Sequence, residues 1–368
     1  MTPNHTRSQS SPTQRNDDYN EQEQSCNDNT NKNHHILTMG VIADIQHAPI
    51  PNGFSYSGTP RYYRHSLSTA KHAAQHFEKE QVSLVVNLGD IIDGKCQEVH
   101  IHCQEENDYI PSSNDPGHDA IDNVLDALSE YSGDILHTYG NHELYNLSRE
   151  DIGKKLNIPF VKEECGELVG YYYKTSHCNK IRFVVIDSYD VAIMKRNEGI
   201  KRQKAVSILH QNNPNYPEKE NSPEGLEGVN KRFVAFNGGV DSVQLSWLRD
   251  TLEEAKLAKQ MVFIISHQPI IPESSSGVCL IWNYDEILEI LREYKSIVAA
   301  AFAGHAHKGS YHRDPESGIH FRIFEAALES PDPIKTYGFV DVFTDRVIVR
   351  GEGDLHSAEY ILDHLSIE

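Results

Sequence analysis

The sequence predicts a layered α/β sandwich, and three observations carry that prediction. Short apolar runs of strand length alternate with stretches whose apolar residues recur every three or four positions. The segments 170–174 and 181–187 lie close enough together to pair as an antiparallel hairpin. No internal repeat and no second block with its own core is visible in the 368 residues.

The elements follow in order. The apolar stretch 36–42 reads as a strand ending at Ala43-Asp44-Ile45-Gln46. Residues 62–81 carry Leu67, Ala70, Ala74 and Phe77 at helical spacing. The run 82–88 is continuously apolar, as in a strand buried on both faces, and leads into Gly89-Asp90-Ile91-Ile92-Asp93-Gly94. A polar segment, 95–117, precedes a helix over 119–131 and a short strand over 134–138 that feeds Gly140-Asn141-His142-Glu143. Residues 195–230, polar and rich in Asn, Pro, Glu and Lys, read as a surface insertion that could serve as a lid. Then come a helix over 241–259, a strand over 261–266 ending at His267, and a helix over 284–295. A strand over 297–303 ends at Gly304-His305-Ala306-His307, and extended segments near 321–325, 337–343 and 346–350 close the domain. The expected organisation is a disordered polar tail, 1–35, and one domain, 36–368.

Composition excludes several classes. A net charge of −20 argues against non-specific nucleic-acid or anionic-membrane binding. The longest apolar runs, such as 298–303, are far too short for a membrane span, and residues 1–35 lack the apolar core of a signal peptide. Six scattered cysteines then read as reduced thiols of a cytoplasmic protein. The glycosylation patterns at Asn4 and Asn146 read as chance occurrences in that setting.

Asp44, Asp90, Asn141, His267 and His305 each fall at or just beyond an expected strand end, where ligands of open α/β sheets gather. Glycine precedes three of them, at Gly89, Gly140 and Gly304, as though a special turn aims each side chain. Carboxylate, carboxamide and imidazole together suit Mn, Fe, Zn or Mg, and no cysteine lies in these motifs. Bound cations would also let a negative protein handle a negative phosphate.

The ordered motifs Asp44-Ile45-Gln46, Gly89-Asp90-Ile91-Ile92-Asp93, Gly140-Asn141-His142-Glu143, His267 and Gly304-His305-Ala306-His307 resemble those of the calcineurin-like metallophosphoesterase superfamily. Gln46 stands where that pattern has its first histidine. Ala43-Asp44-Ile45-Gln46, Arg61-Tyr62-Tyr63-Arg64, the segment 183–190, Phe236-Asn237-Gly238-Gly239 and Cys279-Leu280-Ile281-Trp282-Asn283-Tyr284 resemble the manganese-dependent ADP-ribose/CDP-alcohol diphosphatases. The resemblance covers about residues 36–355. It implies a four-layer αββα sandwich of two mixed sheets flanked by helices.

The resemblance further implies two metal sites: Asp44, Gln46, Asp90 and His307 for one, and Asp90, Asn141, His267 and His305 for the other, with Asp90 bridging. As a neutral oxygen donor, Gln46 tilts the first site towards Mn or Mg, while Mg, Zn or Fe remain alternatives at one site. His142 is the implied phosphate-contacting and proton-donating residue, with Asp93 to orient it. The implied reaction is hydrolysis of a nucleoside diphosphate conjugate by a metal-activated water: ADP-ribose, or CDP-choline and other CDP-alcohols. The expected partner is thus a small molecule, with no nucleic acid or membrane, and the protein a monomer. A phosphomonoesterase or phosphoprotein phosphatase on the same scaffold is the alternative, although Gly94 stands where phosphoprotein phosphatases usually carry Arg after the second-motif Asp. A decayed, non-catalytic scaffold is a third reading, which the full ligand set opposes.

Further residues carry two readings each. Phe54, in a Gly-flanked loop, suits stacking on a nucleobase or anchoring the loop. Asn283 and Tyr284 suit nucleotide contact, and a helix cap explains Asn283 as well. Arg61 and Arg64 suit phosphate or plain solvation. Cys96, His100, His102 and Cys103 cluster without matching a common zinc spacing, so a plain surface loop competes with a further metal site.

Overall fold

The computed structural model describes residues 34–100, 115–159, 161–196 and 199–367. The expected tail therefore lies almost wholly outside the described residues. The described residues form one compact unit.

Strand β1 (His35–Ile42) is followed by a small hairpin of β2 (Gly53–Phe54) and β3 (Pro60–Arg61). Helix α1 (His65–Lys79), β4 (Leu84–Asn87), α2 (Pro116–Leu128), β5 (Ile135–His137), α3 (Asn141–Asn146) and α4 (Arg149–Lys155) come next. A second small hairpin, β6 (Val161–Lys162) with β7 (Leu168–Val169), leads to β8 (Tyr172–Thr175) and β9 (Ile181–Val185). The chain continues through α5 (Ile200–Asn212), α6 (Ser242–Leu257), β10 (Met261–Ile265), α7 (Tyr284–Glu293) and β11 (Val298–Ala303). It closes with β12 (Lys308–Arg313), β13 (His320–Glu325), β14 (Tyr337–Phe343), β15 (Arg346–Glu352) and β16 (Ala358–Ile361).

Two mixed sheets result, ordered β16-β15-β14-β1-β4-β5 and β12-β13-β11-β10-β9-β8. In the first, β1, β4 and β5 run parallel, while β14 joins β1 antiparallel with Met39 opposite Val340. In the second, β9, β10, β11 and β13 run parallel, with β8 and β12 antiparallel at the edges. Met39, Val41, Val86, Phe183, Phe263, Phe302 and Val340 mesh into one core between the sheets. On the outer face of the first sheet, Ala70, Phe77, Ile121 and Val124 bring α1 and α2 down on Val85. Leu248, Leu252, Ile287 and Leu291 bring α6 and α7 onto Val184 and Ile264 of the second. The αββα sandwich is therefore present, and β9, β10 and β11, covered on both faces, are buried at every position. Both α2 and α6 start at an aspartate cap. Asp115 accepts from Gly117 N at 3.1 Å, and Asp241 from Val243 N at 2.9 Å.

The segment expected as a surface insertion, 195–230, contains regular structure. It holds the 13-residue helix α5, whose Lys201, Ala205 and Leu209, four apart, are buried. Ala205 and Leu209 pack with Val191, Phe233 and Trp282. The polar composition hides a stripe only three residues long. Among the described residues, no helix is long and apolar enough to cross a membrane.

Candidate active site

The loops after parallel strands β1, β4 and β5 of one sheet and β10 and β11 of the other meet at one edge of the sandwich. They are tied to one another by backbone bonds: Gln46 N to Asp90 O at 2.7 Å, Gly304 N to His267 O at 3.0 Å, and Leu328 N to Asp44 O at 3.1 Å. The residues following the strands leave extended geometry at once. Asp44, Gln46, Asp90, His305 and His307 all take left-handed conformations, with φ of 49°, 41°, 54°, 65° and 62°. The special turns thus fall largely on the functional residues themselves. Of the three glycines ahead of them, only Gly89 has positive φ, at 89°. The other two are required by close approach. A Cβ on Gly304 would meet Asp44 Oδ2 at 2.6 Å, and one on Gly140 would collide with the Asp90 carboxylate.

Around Asp90, which is 1% exposed, the side chains converge. Its Oδ2 lies 3.2 Å from His267 Nε2, 3.2 Å from Gln46 Nε2 and 3.9 Å from His142 Nε2, and its Oδ1 accepts from His142 N at 2.8 Å. His305 Nδ1 is 3.2 Å from His267 Nε2. His307 Nε2 is 3.6 Å from Asp44 Oδ1 and 3.0 Å from Gln46 Nε2. Asn141, 4% exposed, begins α3 and accepts from Tyr189 Oη through Oδ1 at 3.1 Å. Six of the seven side chains expected as metal ligands are thereby linked in one cluster, and Asn141 directly precedes His142, whose backbone N–H bonds Asp90. The Gln46 carboxamide turns its nitrogen inward, and its oxygen accepts from Arg61 Nη1 at 3.3 Å. Coordination through oxygen requires a half-turn of that amide, which interchanges the two atoms.

Asp90, His267 and His305 offer ligand atoms within 4.8 Å of one another. His267 Nδ1 donates outward to Leu88 O at 2.6 Å and His305 Nε2 to Asn237 Oδ1 at 3.0 Å, so the inner nitrogens, His267 Nε2 and His305 Nδ1, gather with the buried Asp90 carboxylate. Three electron-pair donors with so little solvent demand positive charge. Burial depresses the His267 imidazole, but Asp90 outweighs it and holds the group up at about 9. His305 goes the opposite way, pushed well below the ordinary range by burial and by neighbouring His267. Burial would raise the Asp90 carboxyl, yet His267 and His142 hold it below the ordinary range. A buried carboxylate that forces a proton onto one histidine while the next stays neutral is a place for cations, and the residues fit.

The supporting groups are mostly ones that sequence reasoning did not assign. Glu143 accepts from the backbone N–H groups of Asp90, Ile91, Ile92 and Gly140, fixing the turn that carries Asp90. Glu329 accepts from His307 Nδ1 at 2.9 Å and pairs with Lys308. Burial would raise Glu329, but His307 and Lys308 hold it down at about 2. Asn237 and Gln268 link to each other at 2.8 Å behind His305. Glu143 and Asn237 lie within the family-like segments of the sequence, whereas nothing beyond their polarity marks Glu329 and Gln268.

His142 and Asp93 are neighbours. His142 Nδ1 lies 3.3 Å from Asp93 Oδ2 and accepts from Gly94 N at 2.7 Å, which leaves the ring hydrogen on Nε2, facing Asp90. Burial opposes charge on this ring, but Asp90 and Asp93 more than offset it and raise its affinity for a proton. Arg61 reaches both Gln46 and Asp93, the latter at 3.6 Å. Arg64 is exposed at the start of α1. Phe54 stands 68% exposed on the β2–β3 hairpin that carries Arg61.

Other expected site residues lie apart from this cluster. Both ends of the Asn283 carboxamide are taken: Oδ1 accepts from Val240 N at 3.0 Å and Nδ2 donates to Val240 O at 3.0 Å. It makes no side-chain cap on α7 either. Tyr284 lies beneath the Arg232 guanidinium and borders a cavity of about 640 Å³ lined by Glu273, Asp285, Glu289 and Glu293, a setting that repels a diphosphate. Cys96 is buried with its thiol directed at His47 O, whereas His102 and Cys103 lie outside the described residues. Asn146 donates to Asp93 O and His142 O, both at 2.9 Å, so its amide serves the site. A second acidic trio, Glu163, Asp190 and Asp241, already surrounds the ammonium of Lys201.

Two stacked mixed sheets with Asp, Asn and His gathered at their carboxyl ends define a class: the chain belongs to the calcineurin-like phosphoesterase family, whose sequence profile matches residues 37–309. Within that family it is 39% identical over 327 residues to the manganese-dependent ADP-ribose/CDP-alcohol diphosphatase of Oryza sativa subsp. japonica, covering 88% of this chain and 94% of the relative. The human protein of the same name is 34% identical over 330 residues, 86% of this chain and 90% of that one. A crystal structure of a dimetal phosphatase from Danio rerio superposes with a TM-score of 0.79 at 30% identity, covering 90% of this chain and all of that one.

Proposed function

We propose that this protein is a manganese-dependent hydrolase of nucleoside diphosphate conjugates, cleaving ADP-ribose to AMP and ribose 5-phosphate and CDP-alcohols to CMP and a phospho-alcohol. The observation that carries the reading is the cluster around Asp90, in a chain 39% identical over most of its length to a diphosphatase of that name. Asp44, Gln46, Asp90 and His307 would hold one ion, and Asp90, Asn141, His267 and His305 the other. Two divalent ions bound there supply an activated water and positive charge for the phosphoryl oxygens. The chain's own groups do the rest. In its imidazolium form, which Asp90 and Asp93 favour, His142 presents Nε2–H to the site and serves as the acid that protonates the departing phosphate oxygen, returning to the neutral ring. Asp93 Oδ2, 3.3 Å from Nδ1, favours that charged form of the ring. Arg61, on its hairpin, meets the second phosphate. Phe54, exposed on the same hairpin, offers a face to the base. The net charge of −20 favours a small substrate over nucleic acid, and we read the protein as a cytoplasmic monomer.

Incubation with Mn and either ADP-ribose or CDP-choline, with products resolved by chromatography, tests the proposal. AMP or CMP should appear and should cease when the metal is chelated. Fast release from simple phosphomonoesters or a phosphopeptide, with neither conjugate cleaved, would overturn it in favour of a phosphomonoesterase or phosphoprotein phosphatase.

A further inference from the structure

The two histidines of Gly304-His305-Ala306-His307 turn opposite nitrogens outward. His305 directs Nε2 to Asn237 Oδ1 at 3.0 Å, whereas His307 directs Nδ1 to Glu329 Oε1 at 2.9 Å. Neither acceptor is free to change its role. The Asn237 amide nitrogen donates to Arg232 O at 2.9 Å and Val278 O at 2.7 Å, so the amide cannot rotate, and its oxygen must face His305 and Gln268 Nε2. Gln268 is itself fixed, with Oε1 accepting from Gly238 N at 3.2 Å. Glu329 is a carboxylate and so only accepts, and its other oxygen takes Lys308 Nζ at 2.9 Å. An acceptor opposite one ring nitrogen places the hydrogen there and leaves the other nitrogen as a lone pair.

We propose that Asn237 and Glu329 are positioning residues that lock His305 and His307 in opposite tautomers, so that His305 turns Nδ1 and His307 turns Nε2 inward as lone pairs. Without them, each ring would spend time with N–H directed at the cluster, where it competes with a cation. The two act on different halves of the site. His305 Nδ1 faces His267, and His307 Nε2 faces Asp44 and Gln46. This inference rests on reading the cluster as a two-metal centre.

Two measurements test it. In metal-free protein with ¹⁵N-labelled histidine at about pH 8, His305 should carry its hydrogen on Nε2 and His307 on Nδ1. Resonances are identified by their loss in His305→Ala and His307→Ala. Either ring in the reverse form overturns the proposal, whatever the metal content. Separately, free Mn is followed by electron paramagnetic resonance during titration. Asn237→Leu and Glu329→Met should each weaken one of two sites by roughly 10–100-fold, while Glu329→Gln, which keeps the acceptor oxygen, should stay near wild type. Folded variants, checked by circular dichroism, that bind Mn as wild type does would also overturn it. A wild-type chain that takes up fewer than two ions would sink the two-metal reading instead, and the tautomer result would still decide this one.

Discussion

Tyr189 donates its phenolic hydrogen to Asn141 Oδ1 at 3.1 Å from a ring with no solvent exposure. The ring cannot drift, because Arg149 Nη1 holds Tyr189 O at 3.2 Å and Asp187 Oδ1 receives Tyr189 N at 3.1 Å. Tyr189→Phe keeps the packing and deletes one bond. We expect it to lower stability by about 1 kcal/mol. Turnover should drop roughly tenfold or more, partly restored by excess Mn, because Asn141 is no longer oriented. Thermal melts and Mn-dependent kinetics check both halves.

His142 is the group with the most direct part in the proposed chemistry. Replacing it with Ala should lower kcat by about 10²–10⁴-fold, the usual worth of a positioned proton donor. The loss should be smaller for a conjugate whose leaving group needs no proton, such as a nitrophenyl ester of a nucleotide. Equal losses on both substrates would assign His142 to binding instead.

Lys201 sits among Glu163 at 2.8 Å, Asp190 and Asp241 at 2.8 Å, and is 2% exposed. Lys201→Met leaves three carboxylates without their partner and should cost about 3–5 kcal/mol. The damage should appear as a lower melting temperature and as early proteolysis within α5, since Lys201, with Ala205 and Leu209, fastens that helix to the domain.

Two buried histidines should make the fold sensitive to acid. Burial pushes His137 and His320 down to about 4. His320 is fixed as neutral, accepting from Tyr311 Oη at 2.8 Å and donating to Ile361 O at 2.9 Å. A base whose folded value lies below its unfolded one gives stability that is complete above about pH 6.5 and lost as pH falls towards 4. Between about pH 7 and 5 each should cost on the order of 1–2 kcal/mol. Melting temperatures at the two pH values measure this, and a His137→Asn, His320→Gln variant should show a shallower decline.

Much of this was legible in the sequence, for identifiable reasons. Strands such as β10 and β11, and helices α1, α6 and α7, carry long runs or regular spacing that tertiary context does not override. Helix α5 was not legible, since a salt cluster around Lys201 does what apolar residues do elsewhere. Edge strand β12, with no fully buried residue, has no apolar alternation to read. At the site, the ligand motifs stand out because their residue types fall at strand ends. Asn237, Glu329 and Tyr189 do not, because what they do depends on partners 68, 22 and 48 residues away in sequence. Asn283 shows the converse: it lies within a family-like segment, yet its amide is bonded to Val240 and Glu286.

The left-handed backbone at Asp44, Gln46, Asp90, His305 and His307 sets a ceiling on the molecule's heat tolerance. Each such residue with a β-carbon costs about 1 kcal/mol relative to relaxed chain, so the five together consume a sizeable share of an ordinary protein's net stability. Glycine at these places would yield a hardier but inert shell. Attempts to toughen the enzyme are therefore best aimed away from this rim, and cation binding becomes the natural means by which the working form recovers what its own loops give up.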